Sequence, residues 1–151
     1  MDITQPISRG FSVFSVLFVL LALAGCVSSP VIDSAAGVPL TNTYWQLVSV
    51  ASQAAPDTGE EQRAHILFLD DGRVRGSSGC NQYMGDYQIE GENLLFGAMA
   101  STRRACEGNT IEQPLFAAFA KTVGVNLDGT RLRLLSENSE VLAVFEAVNP
   151  Q

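Results

Sequence analysis

The stretch that decides the fold is Gly76–Cys106, which reads GSSGCNQYMGDYQIEGENLLFGAMASTRRAC. Glycine in a strand has no side chain to pack, so Gly76 and Gly79 indicate bulges or close approaches of the backbone. Asn81 favours a turn, because its side chain can bond to nearby backbone groups. The stretch also holds two of the three cysteines of the chain. We therefore predict that it is the structural hub of the domain.

Strand patterns lie on both sides of this stretch and within it. Upstream, residues 43–50 are rich in aromatic and β-branched residues, and residues 64–69 and 73–77 flank an Asp-Gly hairpin turn. Within the stretch, two more strands are predicted at 83–90 and 94–96. Downstream of a helix, strands are predicted at 125–127, 131–135 and 141–148, although apolar residues on both faces leave the inward face of the last one open. The pattern predicts an α+β domain of about eight antiparallel strands and one helix after the fifth strand.

The helix is predicted from the periodic apolar residues between 110 and 123. Thr110 with Gln113 resembles a capping box at its beginning, and Asn109 with Glu112 fits nearly as well. Pro114 must then lie in the first turn, where the missing N–H costs least. The apolar positions form one stripe on the helix surface, consisting of Ile111, Leu115, Phe116, Phe119 and Val123.

The N-terminal segment predicts a lipoprotein. Residues 11–25 are almost entirely apolar and uncharged, which is typical of a signal-peptide core and short for a membrane span. The segment ends in Leu23-Ala24-Gly25-Cys26, which resembles a bacterial lipobox. We therefore expect a signal peptide over 1–25, a lipidated Cys26 with a flexible tether over 26–41, and a folded domain over 42–151. Val27 after the cysteine favours the outer membrane, with the domain facing the periplasm.

Lipidation of Cys26 leaves Cys80 and Cys106. An exported domain lies in a compartment that permits disulfides, and pairing these two cysteines leaves no free thiol. A structural disulfide is the favoured interpretation. The alternative is a redox pair, in which Arg103 and Arg104 would lower the thiol pKa of Cys106.

Charge excludes one class of partner. The chain carries a formal net charge of −7 and its only adjacent basic pair is Arg103-Arg104, so we expect no nucleic-acid binding. The same pair is the best candidate for a contact with a ligand or partner. We expect one of the two arginines to be structural and the other to present its charge to an anionic group.

Catalytic and metal sites have little support in the sequence. The single histidine, His65, is predicted on the outer face of its strand, opposite the inward Ile66 and Phe68. No Gly-x-Ser-x-Gly elbow accompanies it. The acidic pairs at 60–61 and 70–71 lie in predicted loops and turns, where they are expected to be solvated. We expect no enzyme activity, no metal and no cofactor.

The order of these features resembles the META domain family of HslJ-like bacterial proteins, many of them lipoproteins. The matching residues are Trp45, Leu47, Phe68, Asp71-Gly72, Gly76, Gly79-Cys80-Asn81, Gly85, Tyr87, Thr102-Arg103, Ala105-Cys106, Glu112, Leu132 and Leu134. The resemblance implies a small antiparallel sheet curled around one helix as an incomplete barrel. It implies no reaction, and it links the chain to envelope stress.

Together these features predict a monomeric, lipid-anchored accessory protein of the cell envelope, acting as a binding or structural module. Two alternatives remain open. One is a periplasmic thiol-disulfide redox protein that uses Cys80 and Cys106. The other is a pilot-like or chaperone-like holder of an outer-membrane component or an acyl chain, which would bind in a crevice left open beside the helix.

Overall fold

The computed structural model describes residues 37–57, 59, 62–105, 108 and 111–148. Its elements follow one another as ten strands and one helix within these residues. In chain order they are β1 Trp45–Val50, β2 Gln53–Ala54, β3 His65–Phe68, β4 Arg73–Ser77, β5 Gln82–Glu90, β6 Asn93–Phe96, β7 Ala100–Ser101, α1 Glu112–Lys121, β8 Gly124–Asp128, β9 Arg131–Leu135 and β10 Val141–Ala147.

The sheet closes into a barrel. The barrel consists of eight antiparallel strands in the order β1, β3, β4, β5, β6, β8, β9 and β10. It closes because β10 also pairs with β1, from Trp45 to Val50. The short strands β2 and β7 are additions that pair with β1 and β5. The expectation of an incomplete barrel was therefore wrong, and the domain, predicted as α+β, is mostly β. The physical reason is that closure pairs the two outer strands and so leaves no unpaired barrel edge.

The barrel interior is the hydrophobic core. Strand alternation places the predicted inward residues inside, and Trp45, Ile66, Phe68, Leu132 and Leu134 are all buried. In β10 the inward residues are Ala143 and Phe145. Six aromatic rings contact one another in a chain through this core: Tyr87, Phe68, Phe96, Phe119, Phe116 and Tyr83. The packing begins upstream of Asn42, because Val38 and Leu40 also contact the core.

The helix lies after the fifth barrel strand, as predicted, and packs into the core through Leu115, Ala118 and Phe119. Its beginning differs from the prediction. The N-cap is Ile111, which makes no side-chain cap, and Glu112 accepts from Nδ2 of Asn81. Asn109 and Thr110 lie outside the described residues. Pro114 lies in the first turn, while Val123 lies beyond the helix and is 38% exposed.

Glycine is required at position 76 because a neighbouring side chain lies close to its backbone. A close approach was one of the two predicted explanations, and a bulge was the other. The hydroxyl of Tyr83 passes over Gly76 on the paired strand and donates to the His65 carbonyl at 2.8 Å. A Cβ on Gly76 would lie only 2.5 Å from Cζ of Tyr83. Burial raises the pKa of Tyr83 well above its ordinary value, because the phenolate would lose its solvation inside the barrel.

Candidate functional site around Asn81

Asn81 lies in the turn between β4 and β5, and its side chain is buried. Its Oδ1 accepts from the Thr102 hydroxyl at 2.9 Å and from the Arg104 backbone N–H at 2.7 Å. Its Nδ2 donates to Oε2 of Glu112 at 2.7 Å and to the Arg104 carbonyl at 3.3 Å. The amide thus uses both donors and both acceptor sites, the full capacity of an asparagine. It joins three parts of the chain: the β4–β5 turn, the segment after β7 and the start of the helix.

Ser78 completes the connection to the helix. Its hydroxyl donates to Oε2 of Glu112 at 2.9 Å and accepts from the Asn81 N–H at 3.2 Å. The carboxylate of Glu112 therefore accepts from two side chains of the β4–β5 turn. Throughout the described part of the chain, every buried side-chain nitrogen or oxygen has a hydrogen-bond partner. The network around Asn81 is satisfied, which is the arrangement that a rigid structural hub requires.

The network holds the backbone of the arginine pair and leaves both side chains outside. Thr102 also pairs with Gln82 through its backbone N–H at 3.0 Å, so residues 102–104 run along the start of β5. The side chains of Arg103 and Arg104 are exposed, and neither forms an ion pair with any described residue. The expectation that one of the two side chains is structural is not met here, because the backbone of Arg104 makes the structural contacts.

Of the three cysteines, Cys80 alone falls within the described ranges, and Cys26 and Cys106 lie outside them. Sγ of Cys80 lies 3.6 Å from the carbonyl oxygen of Arg104, two positions before Cys106 in the sequence. The described residues therefore contain no cysteine pair whose separation tests the bridge. The Cys80–Cys106 disulfide stays a prediction.

His65 lies on the outer face of β3, as predicted, and is half-buried there. Its ring stacks on Tyr44 with the centroids 4.3 Å apart, and Nδ1 lies 3.0 Å from the Arg63 carbonyl. Burial lowers the pKa of His65, and the positive charge of Arg75 lowers it further, against the opposing effect of the hydrogen bond from the ring to the Arg63 carbonyl. The neutral imidazole is therefore favoured in the folded state.

This pKa shift predicts a loss of stability in mild acid. The unfolded state binds a proton at His65 near its ordinary pKa of 6.5, whereas the folded state binds it only at a lower pH. The free energy of unfolding should therefore fall as the pH drops from about 6.5 towards the folded pKa of His65. Urea unfolding across this range measures the slope, and His65→Gln should flatten it.

A second pH range, below that of His65, provides the internal control. Asp71 and Glu146 have lowered pKa values, because Arg73 in one case and Thr130 and Arg131 in the other donate to their carboxylates. The stability that these two carboxylates contribute to the folded state is lost only as the pH falls below the ordinary carboxyl range. His65→Gln should therefore leave this low-pH loss of stability unchanged. An unaltered slope between pH 6.5 and 5 in the variant would contradict the assignment.

The residues that sequence reasoning undervalued are Ser78, Asn81, Thr102 and Glu112. Each is an ordinary polar residue by itself, and Asn81 was expected only to stabilise its own turn. The available signal was their joint occurrence among the matched family positions, which include Asn81, Thr102 and Glu112.

The described residues contain no cluster of three or more His, Cys, Asp or Glu side chains placed to hold a metal. Within the same residues, no helix is long and apolar enough to span a membrane.

Comparisons with known proteins agree with the fold of the domain. A family model described as META domain matches residues 38–149. A solved protein from Burkholderia xenovorans is 27% identical, with a TM-score of 0.58 over 74% of this chain and 85% of that chain. A DUF4847 family protein from Bacteroides vulgatus is 14% identical, with a TM-score of 0.56 over 74% of this chain and 96% of that chain, and shares the fold. None of the curated proteins matches the chain at a significant level.

Proposed function

Because the chain belongs to the META domain family, we propose that it is a lipid-anchored accessory protein of the bacterial cell envelope. The observation that carries this proposal is the lipobox-like Leu23-Ala24-Gly25-Cys26 at the end of the apolar segment 11–25. Lipid on Cys26 attaches the chain to a membrane, and Val27 directs it to the outer membrane, facing the periplasm. The family resemblance adds a link to envelope stress.

The tether lets the domain act away from the membrane surface. Among the described residues, Val38 is the first that packs on the domain, and it also donates its N–H to the Gly129 carbonyl at 3.4 Å. A flexible chain of the length between Cys26 and Val38 has a root-mean-square reach of roughly 20 Å. In this proposal the domain stands up to roughly 20 Å from the membrane surface and meets its partners in the periplasm as a monomer.

The domain binds rather than catalyses in this proposal. A binding role is supported by the hydrogen bonds around Asn81, in which the Ser78 hydroxyl donates to the Glu112 carboxylate and the Asn81 side chain donates to the same carboxylate. These bonds fix the position of the neighbouring surface. The surface they hold carries Arg103 and Arg104, whose exposed guanidinium groups suit a carboxylate or phosphate of a partner.

The anchor is tested by replacing Cys26 with serine. We expect Cys26→Ser to abolish labelling by a radioactive fatty acid and to leave the precursor uncleaved, because serine cannot form the thioether to the lipid. Ser28 provides a matched control, since Ser28→Ala should be processed normally. Normal processing of Cys26→Ser would contradict the proposal, and sucrose-gradient fractionation of the wild-type chain tests the outer-membrane location.

A disulfide between Cys80 and Cys106 is proposed as a structural part of the same hub. The supporting observation is the position of Cys80 beside the Arg104 carbonyl, close in sequence to Cys106. A bridge that closes this loop contributes about 3–4 kcal/mol by the chain-entropy model. Thiol labelling of the chain isolated from the periplasm should find no reactive thiol at Cys80 or Cys106 until a reductant is added.

The redox alternative makes a different prediction from the same labelling experiment. A catalytic pair would be reduced near the redox poise of its compartment, whereas a structural bridge has a much lower potential. Titration with a glutathione buffer separates the two. The holder alternative loses its premise, because β10 pairs with β1 and the crevice expected at an open seam is closed in the described barrel.

A further inference from the structure

We propose that a second surface, on the outside of β1, β3, β4 and β5, binds an acidic and partly apolar peptide segment of a partner protein. We call this surface the basic outer face. It consists of Tyr44, Gln46, Arg63, His65, Arg75 and Met84. It goes beyond the contact proposed for Arg103 and Arg104, and it rests on the proposed role of the domain as a binding module.

Strand register brings these residues together. Gln46 pairs with His65 between β1 and β3, and Leu67, on the same face of β3 as His65, pairs with Arg75. Arg75 pairs in turn with Met84. Because side chains alternate along a strand, these residues point outward while their neighbours fill the barrel. Met84 is 66% exposed, the largest exposure among the large apolar side chains of the described residues.

The face is positively charged on a chain that is negative as a whole. Arg63 is close enough to Tyr44, and Arg75 to His65, for each charge to act on the neighbouring ring. Arg75 makes no ion pair with any residue in the described ranges, in contrast to Arg73 on the same strand, which binds Asp71 at 2.6 Å. Arginine, tyrosine and methionine are enriched in protein interfaces.

A cavity adjoins the face and adds both apolar and polar walls to it. It has a volume of about 310 Å³ and lies between β1 and the segment that precedes β3. Leu47, Val48, Ala55, Pro56 and Ala64 contribute apolar walls, and Gln46, Arg63 and Asp57 contribute polar groups. Arg63 donates to Oε1 of Gln46 at 3.3 Å, which holds a positive charge at the cavity. An apolar side chain fits the walls while a neighbouring carboxylate meets Arg63, and Asp57 can accept from a backbone N–H.

Charge decides between the possible occupants. Guanidinium groups at Arg63 and Arg75 recognise carboxylates and phosphates alike. A nucleic acid or an anionic bilayer would extend over the whole domain and meet the net charge of −7. A short acidic peptide segment covers only the basic outer face and avoids most of that repulsion. A cavity with partly apolar walls beside a positive patch therefore favours a peptide with alternating acidic and apolar residues.

The test measures binding of a defined peptide to the full chain in neutral detergent micelles. The probe is fluorescently labelled (Glu-Val)₄ with blocked ends, compared with (Gln-Val)₄ and (Lys-Val)₄ by anisotropy. We expect saturable binding of the acidic peptide alone. Arg75→Gln and Arg63→Gln should each weaken it about tenfold, the loss of one charge-assisted contact. Amide shifts in NMR spectra should move at Tyr44, His65 and Met84.

Arg131→Gln is the matched control, because Arg131 lies on β9 and is already paired with Glu146 at 3.1 Å. It should leave the affinity unchanged. Absence of saturable binding at millimolar peptide, equal binding of the neutral peptide, or equal losses in Arg75→Gln and Arg131→Gln would each overturn the inference. Binding is read independently of lipid on Cys26, so failure of the lipid anchor and failure of the peptide site are separate results.

Discussion

Replacing Trp45 with alanine should lower the free energy of unfolding by about 3–5 kcal/mol. Trp45 has no exposed surface, and its Nε1 donates to the Leu40 carbonyl at 2.9 Å. It also pairs with Ile66 on one side and Ala147 on the other, at the point where β10 closes the barrel on β1. The substitution therefore leaves a large cavity and an unsatisfied carbonyl beside the closing strand pair. Typical domains are stable by only about 5–15 kcal/mol, so the melting temperature should fall sharply.

Two controls accompany this variant. Val48→Ala changes the same strand at a side chain that is 42% exposed, and Arg104→Ala removes an exposed guanidinium without touching the backbone that bonds to Asn81. Both should change the free energy of unfolding by less than about 1 kcal/mol. A loss at Arg104→Ala as large as that at Trp45→Ala would mean that the arginine is a buried ion-pair member, against its exposed position.

The inward and outward residues of most strands were predictable from the sequence. Leu132 and Leu134 alternate with Arg131 and Arg133, and a period of two fixes which face is buried. The last strand was ambiguous because apolar residues occupy both of its faces. In the structure the ladder shifts between Val141 and Ala143, and this irregularity places Ala143 and Phe145 inside. Local pattern alone carries no information about such a shift in register.

Closure of the barrel was not predictable for a related reason. It depends on pairing between β1 and β10, which lie at opposite ends of the domain sequence. Each strand pattern is satisfied equally well by an open, curled sheet. The same holds for the Asn81 network, whose side-chain partners Thr102 and Glu112 lie 21 and 31 residues further along the chain. Side-chain bonds over such distances leave no periodic trace in the sequence.

Replacing Asn81 with aspartate should cost about 3 kcal/mol or more at neutral pH. The substitution preserves shape, and the Thr102 hydroxyl and the Arg104 N–H can still donate to the remaining oxygen. The second oxygen, however, replaces a donor that lies 2.7 Å from Oε2 of Glu112 and 3.3 Å from the Arg104 carbonyl. Two carboxylates would then face each other in a partly buried position, where like charges repel. Urea unfolding at pH 7 measures the loss, and Gln82→Glu, one residue away and exposed, is the control.

A compensating change at Glu112 makes this prediction specific to the hub. In the double variant Asn81→Asp with Glu112→Gln, the new amide donates to the new carboxylate, so the contact re-forms with its donor and acceptor exchanged. The Ser78 hydroxyl, which donates to Glu112 in the native chain, can accept from that amide and turn its proton to the Asn81 main-chain carbonyl 3.3 Å away. The double variant should therefore be more stable than Asn81→Asp alone, with a coupling energy of about 1–3 kcal/mol in a double-mutant cycle. Strict additivity of the two losses would show that the β4–β5 turn and the helix are not joined through this contact.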